Sequence, residues 1–391
     1  MIVKMFIVIA LLTLWCEYKT YKKLELKTQR AKVVAMTIFV VLQLLPLVGI
    51  GIVTLIPSGD LAIVRFISWV LTVYLIATAT ICSFGLFFIT IKSRKVATVV
   101  GCIAATAAFS ILLNGLVNTR TNLIVKRVEI NHENLPQSFD SYKIVFFSDL
   151  HIGSLLNPDK QTKQLVKGIN AIQGDMVIFG GDLTHINHSE LTPTIIKNLS
   201  QIEAHDGIYT VLGNHDTGVY VRDTIALTKD KNIELLCSKI GQMGWTVLQD
   251  STIYAHRGCD SIAVTGIDFT EQLLQYKHSF VTPNDYSPEG LFASLPDSLF
   301  NIAVSHLPQL WQPITDGNYA ELTLSGHIHA MQISADCFGY RLSPAMLMYK
   351  RWSGLYQQNG NHLYINDGVG CVGFYMRIGA RPEITVIELK R

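Results

Sequence analysis

Apolar residues are spread unevenly along this chain. Before Asn118 they gather into four long runs: Ile2 to Cys16, Val33 to Pro57, Leu61 to Ile91 and Val96 to Val117. Lys4 and Arg65 are the charges inside them. A bilayer core asks for ~20 mostly apolar residues in a spanning helix, and the last three runs meet that length. The first is shorter and has the size of a secretory signal core. No small-x-small cleavage site follows it, and residues 17–32 are basic, so it reads as a helix retained in the chain. Helices that face lipid can be apolar all round, whereas a buried helix of a soluble domain rarely clusters with three others at one end. The pattern therefore predicts an all-α membrane region over 1–118 with about four transmembrane helices. A linker is expected over 119–141 and a second domain over 142–391.

Loop charges orient such a bundle. The first loop holds Lys19, Lys22, Lys23, Lys27, Arg30 and Lys32; the second, near Pro57 to Asp60, holds no Lys or Arg; the third holds Lys92, Arg94 and Lys95. This alternation places loops one and three in the cytoplasm and everything after the fourth helix outside it. Arg120, Lys126 and Arg127 pull weakly the other way.

Beyond Asn118 the period changes. Short apolar runs at Lys143–Phe147, Met176–Phe179, Ile208–Leu212, Ile302–Val304, Glu321–Leu324, His362–Ile365 and Ile384–Ile387 read as strands. Asp159–Ile172 and Leu191–Ile202 read as helices, the former from Leu165, Ile169 and Ile172 at helical spacing. Strands alternating with helices indicate an α/β domain whose chemistry sits in loops at the sheet ends.

Composition narrows the partners. Hydrophobic residues make up 49% and charged residues 16%, against ~25% charged in average usage, so a lipid bilayer is one partner. A formal net charge of +2 gives no basic excess for nucleic acid, and no specific nucleic acid is expected. The cysteines, at 16, 82, 102, 237, 259, 337 and 371, form no CxxC pair. A zinc ribbon is thereby excluded, and a disulfide among the last four is left open.

Five polar clusters follow the predicted strands: Asp149-Leu150-His151, Gly181-Asp182, Gly213-Asn214-His215-Asp216, Ser305-His306 and Gly326-His327-Ile328-His329. In a strand, residues i and i+2 face the same way, so Asp149 and His151 can point at one ion together. Carboxylate, imidazole and amide donors without thiolate suit divalent Mn, Fe or Zn. Two such ions held close clamp the entering and leaving oxygens of a displacement at phosphorus. Asp182, between the two ligand groups in chain order, is the natural bridging carboxylate. One cluster alone is commonly a turn; five in this order are not.

The ordered series DLH, GD, GNHD, SH and GHIH resembles the calcineurin-like metallophosphoesterase superfamily over residues 142 to 391. The tail, from Tyr364-Ile365-Asn366-Asp367-Gly368-Val369-Gly370 through Arg377 to Pro382-Glu383-Ile384-Thr385, is similar to its membrane-associated YkuE-type bacterial branch. The resemblance implies a four-layer α/β/β/α sandwich on a multi-pass protein of the bacterial inner membrane. It implies a first metal on Asp149, His151 and His329, a second on Asn214, His306 and His327, and Asp182 between them. His215 would be the acid serving the leaving group, oriented by Asp216. Two departures stand out: the branch's GHTHGGQ is here Gly326-His327-Ile328-His329-Ala330-Met331-Gln332, and an acid after the second motif is replaced by Thr184-His185.

The expected activity is hydrolysis of a phosphate monoester or diester, on a phosphorylated small molecule or an envelope lipid. A pyrophosphohydrolase of a lipid-linked sugar nucleotide, and a membrane sensor of a phosphorylated ligand, are the competing readings. His185 and His188 are placed near enough to meet substrate. His132, His205, His256, His278 and His362 read as surface or core residues. Met346–Tyr356 mixes basic and aromatic side chains, as a substrate rim, a membrane contact or a plain loop would.

Overall fold

The structure, a computed structural model, describes residues 2–24, 28–55, 61–221, 227–276, 286–296 and 298–391. The chain divides into two compact units.

The first unit is helical: α1 (Ile2–Leu24), α2 (Gln29–Leu55), α3 (Leu61–Thr90) and α4 (Arg94–Val117). They take up the four apolar runs. Among the described residues, α3 and α4 (the latter with the turn to Thr121) are long and apolar enough to cross a membrane. The side chains of residues 2–10 and 45–55 lie outside the description, as does the second loop near Pro57 to Asp60. Small residues bring the helices together: a Cβ on Gly85 would stand 2.4 Å from the Thr20 hydroxyl, and one on Gly101 2.9 Å from the Phe84 ring. At one end of the unit, Lys23 Nζ donates to the carbonyls of Phe88 and Ile91, and Arg94 donates to the carbonyl of Leu24 (2.7 Å). Cations belong at the carbonyl ends of helices, and this pairing puts the C-terminal ends of α1 and α3 side by side.

The second unit begins with β1 (Ile124–Asn131) and β2 (Lys143–Phe147), then α5 (Pro158–Asn170), β3 (Met176–Phe179), α6 (Pro193–Leu199), β4 (Ile208–Thr210), α7 (Lys229–Gln242) and β5 (Thr246–Val247). A hairpin of β6 (Ser251–Arg257) and β7 (Asp260–Ile267) precedes α8 (Glu289–Phe292), β8 (Asn301–Ser305), α9 (Trp311–Asp316) and β9 (Leu322–Ser325). A small ribbon, β10 (Ala335–Cys337) and β11 (Tyr340–Leu342), leads to β12 (Gly354–Gln358), β13 (Asn361–Ile365) and β14 (Glu383–Lys390).

Two six-stranded sheets result, ordered β1-β14-β2-β3-β4-β5 and β12-β13-β9-β8-β7-β6. Alternation along β2 shows how they pack. Ile144 and Phe146 join Ile302, Val304, Leu322 and Leu324 in a core between the sheets. Val145 and Phe147 turn the other way, to Leu165, Ile169, Leu199, Leu236 and Ile240 from α5, α6 and α7. On the far side of the second sheet, Ala303 meets Leu310 and Ile314. Strands buried on both faces read as continuous apolar runs, which is why β2, β3, β8 and β9 stood out in the sequence.

The stretch expected as a linker is corrected here. β1 is an edge strand, paired in parallel with β14 from Ile124↔Glu383 to Asn131↔Lys390. Lys126 and Arg127 disguised it. Lys126 points inward and pairs with the buried carboxylates of Glu383 and Asp367. All seven cysteines, each among the described residues, are free thiols.

Candidate metal centre

The parallel strands β2, β3, β4, β8, β9 and β13 all end toward one rim, and each polar cluster follows one of those ends. Asp149 and His151 follow β2, Asp182 follows β3, Asn214 and His215 follow β4, His306 follows β8, and His327 and His329 follow β9. Carboxyl ends of parallel strands are where open α/β sheets gather ligands.

The pleat is not what aligns Asp149 with His151, contrary to the expectation from i, i+2 spacing. β2 stops at Phe147, and both residues lie beyond it with left-handed backbones (φ 53° and 42°). Asp182, His327 and His329 are left-handed too (φ 60°, 74° and 54°). Asp and His tolerate this region better than most side chains. Hydrogen bonds hold the loops: Asp149 N donates to Gly181 O (2.9 Å), His151 N to Asp182 O (3.0 Å), and His327 N to Asp149 Oδ2 (3.0 Å). Two glycines are dictated by space. A Cβ on Gly213 would stand 2.2 Å from Asp182 Oδ1, and one on Gly326 2.4 Å from Asp149 Oδ2.

Donor atoms converge in two groups, Asp149–His151–His329 and Asp182–His306–His327. In the first, His329 Nε2 is 3.0 Å from Asp149 Oδ1 and 3.2 Å from His151 Nε2. In the second, His306 Nε2 is 3.1 Å from Asp182 Oδ2, 3.2 Å from Asn214 Oδ1 and 3.3 Å from His327 Nδ1. The groups adjoin, with Asp182 Oδ2 3.6 Å from His151 Nε2. So all seven residues expected as ligands stand together. Imidazole nitrogens facing one another across 3.2–3.3 Å, beside buried carboxylates, suit a cation placed among them. The residues present fit metal ions. A third group, His151, His185 and His215, brings three imidazoles within the same reach.

Charge is balanced inside the site. Burial alone would raise the Asp149 and Asp182 carboxyls, but the facing imidazoles hold both below their ordinary values. Burial would lower His306, yet Asp182 outweighs it and pushes the imidazole up to about 9. His151 is driven well below its usual value, first by burial and then by His215, and so stays neutral. The His306 Nδ1–H donates to Gly180 O (2.8 Å), which fixes Nε2 as the atom facing the site.

His215 is nine-tenths buried, and its amide donates to Asp182 Oδ1 (2.8 Å). Its ring lies edge-on to His151 and against Tyr220, with centroids 4.6 and 4.3 Å away. Burial lowers its pKa. The expected orienting role of Asp216 is corrected: the hydrogen bonds of its carboxylate go to other groups, and none to the His215 ring. It accepts from the amides of Leu183, Thr184 and Gly213 and thereby pins the loops after β3 and β4. Burial pushes its carboxyl up to about 7. His215 is instead held by the carbonyl of His185, which accepts from Nδ1 at 2.7 Å.

That carbonyl is fixed by a residue the sequence reading passed over. Glu190 is buried and accepts four backbone amides, from Gly153 (2.7 Å), His185 (2.7 Å), Ile186 (2.6 Å) and Asn187 (3.2 Å). Arg377, marked in the sequence only as part of the tail, takes a role there that no spacing announced. It is wholly buried, donates to the carbonyls of Asp367, Gly370 and Ala380, and lies 3.2 Å from His329 Nδ1. Tyr220 also joins the site, accepting from Asn214 Nδ2 (3.0 Å). Glu190 carries no local signal, and the tail motif names Arg377 without its role, because a buried carboxylate or guanidinium is recognised only by what surrounds it. His185 is buried in the site, while His188 is turned to α7, where its amide donates to Asn232. His205 is largely exposed, His362 is buried against β9, and His278 lies outside the described residues.

Residues 142–331 match the family model described as calcineurin-like phosphoesterase. The chain is 30% identical over 264 residues to the uncharacterized metallophosphoesterase YkuE of Bacillus subtilis, covering 66% of this chain and 82% of that one. It is 30% identical over 310 residues to a transmembrane protein with metallophosphoesterase domain of Bos taurus, covering 76% of this chain and 64% of that protein. A dimetal phosphatase of Danio rerio is a more distant likeness (11% identity, 59% of this chain and 88% of that one, TM-score 0.35). With its ordered motifs gathered into one donor set, the chain belongs to the calcineurin-like metallophosphoesterase family.

Proposed function

We propose that this protein hydrolyses a phosphate ester with metal-activated water, using two divalent ions, Mn, Fe or Zn, at a site anchored to the membrane. The observation that carries the reading is the adjacency of the two donor groups through Asp182. Asp149, His151 and His329 would hold one ion and Asn214, His306 and His327 the other, with Asp182 shared. Such a pair supplies a nucleophile at neutral pH and stabilises charge on the phosphoryl oxygens. The protein's own part is positional. The left-handed loops present the donors, and Glu190 and Asp216 brace those loops; His215, with Nδ1–H kept on the His185 carbonyl and Nε2 protonated beside the anionic phosphate, would give the Nε2 proton to the departing oxygen. Its neighbours Tyr220 and His185 wall the leaving-group side.

In this reading residues 1–118 form a multi-pass anchor in a bacterial inner membrane. The unit from 119 onward, a four-layer α/β/β/α sandwich, lies outside the cytoplasm, and its substrate is an envelope phosphoester. The test is hydrolysis of bis(p-nitrophenyl) phosphate by the full chain with added Mn²⁺. Turnover that chelator abolishes and Mn²⁺ restores is the expected result. Binding of phosphate without any turnover would refute the reading in favour of a sensor. His215→Ala is expected to lower turnover of alkyl esters by roughly 10²–10⁴-fold, and nitrophenyl esters far less.

A further inference from the structure

The ribbon of β10 and β11 leaves the chain just after the loop that carries His329. Its pairing, Ala335↔Leu342, Asp336↔Arg341 and Cys337↔Tyr340, sorts its side chains into two faces. One face is polar and tied down: Arg341 donates to Asp367 Oδ2 (2.6 Å) and to Ser334 Oγ (3.2 Å). The other face holds Ala335, Cys337, Tyr340 and Leu342, every one exposed and none charged. At the tip, Phe338 is entirely exposed and has a left-handed backbone (φ 51°), followed by Gly339 (φ 82°). Two consecutive residues of this kind make a turn that favours Asn, Asp or Gly at its first position. An aromatic there accepts backbone strain in order to stand in water. Met346 and Leu347, just beyond β11, are exposed as well, and the next exposed charge is Lys350. Among ordinary surfaces a ribbon with a bare apolar face and an aromatic tip is a liability unless something covers it.

We propose that this ribbon docks on a lipid surface, with Phe338 and Tyr340 in the acyl–headgroup boundary, and that the metal site therefore works on phosphate carried by a lipid. The proposal rests on the membrane-anchored phosphoesterase reading. The occupant follows from the chain itself, which carries two helices long and apolar enough to cross a membrane. Aromatic side chains favour the bilayer interface, and the ammonium of Lys350 suits anionic headgroups. The base of the ribbon reports directly to the site: Ser343 Oγ donates to Ala330 O (2.7 Å), next to His329, and Arg341 grips Asp367, whose carbonyl holds Arg377.

The test uses the full chain in vesicles of phosphatidylethanolamine and phosphatidylglycerol, with benzoylphenylalanine in place of Phe338 as a photo-crosslinker. Lipid adducts are expected at 338 and absent from a control at Tyr254, which is exposed on β6. Adducts to a second copy of the chain, or no adduct above the control, would overturn the docking whether or not the protein is an enzyme. A kinetic arm then addresses the substrate. Phe338→Ser with Tyr340→Ser should cut hydrolysis of phosphatidate in the vesicles by about tenfold or more, given the apolar area withdrawn from the interface, and leave soluble nitrophenyl esters unchanged. An equal fall on both, or no fall on either, would remove the lipid substrate. Loss of the crosslink with catalysis intact and absence of all catalysis with the crosslink intact point to different failures.

Discussion

Glu190→Gln offers the sharpest test of how the proposed acid is held. Glu190 gives two oxygens to four backbone amides, at 2.6–3.2 Å. Glutamine keeps the volume but replaces one oxygen with an NH₂ group that has no acceptor in front of it. In place of Oε2 it strands the amides of Gly153 and His185; in place of Oε1 it strands those of Ile186 and Asn187. An unpaired buried amide costs ~1–3 kcal/mol, so two cost ~2–6 kcal/mol unless the loop relaxes. Relaxation moves the His185 carbonyl away from His215 Nδ1. Turnover should then fall by roughly 10–100-fold on alkyl esters, a part of what loss of the acid itself removes. The assay is a leaving-group series, alkyl to nitrophenyl, for wild type, Glu190→Gln, His215→Ala and the double variant. Glu190→Gln should share the steep leaving-group dependence of His215→Ala, and the double variant should lose little more than His215→Ala alone. A uniform loss across all leaving groups, or full additivity in the double variant, would refute the reasoning and leave Glu190 a brace for stability alone.

Asp182→Asn should empty both metal positions at once, because it removes the charge they share; metal analysis showing two ions retained would contradict the bridge. Metal affinity should climb with pH until about 9, since an ion on His306 Nε2 displaces the proton that Asp182 holds there; a flat titration between pH 6.5 and 9 would oppose it. The same raised value means that, without metal, the His306–Asp182 pair stabilises the fold fully below about 6.5 and loses that contribution as pH rises through 9; denaturation midpoints of the chelator-treated protein check the sign. A reporter active only outside the cytoplasm, fused after Arg391, should be active, and one placed within residues 17–32 should not; the reverse pattern would favour the nucleotide pyrophosphohydrolase.

Much of this site was legible because each ligand follows a strand whose apolar run marks itself. Lys143–Phe147 and Met176–Phe179 were read to the residue, since both faces of these strands are buried. Legibility failed where a side chain's meaning depends on a distant partner. Lys126 and Arg127 look like a solvated tether until Glu383 and Asp367 appear beside Lys126. Asp216 looks like a partner for the adjacent His215, but the amides of Leu183 and Thr184, far back in the chain, claim it. Glu190 and Arg377 are ordinary charges in sequence and become structural only when burial surrounds them with backbone groups.

The order of the first sheet has a consequence for when the protein can mature. β14 lies between β1 and β2, and pairs with both. β2 can pair with β3 earlier, but β1 has no neighbour in the sheet, and β2 lacks its second one, until residues 383–390 have been made. The sheet therefore closes only after the whole unit has been synthesised. Asp149 waits with it, since Asn366, which bridges Ser148 to Thr385 of β14, is among the last residues set in place. If the unit is exported as proposed, a chain that stays open this long would cross the bilayer unfolded and gain its donor-lined rim only on the side where it folds.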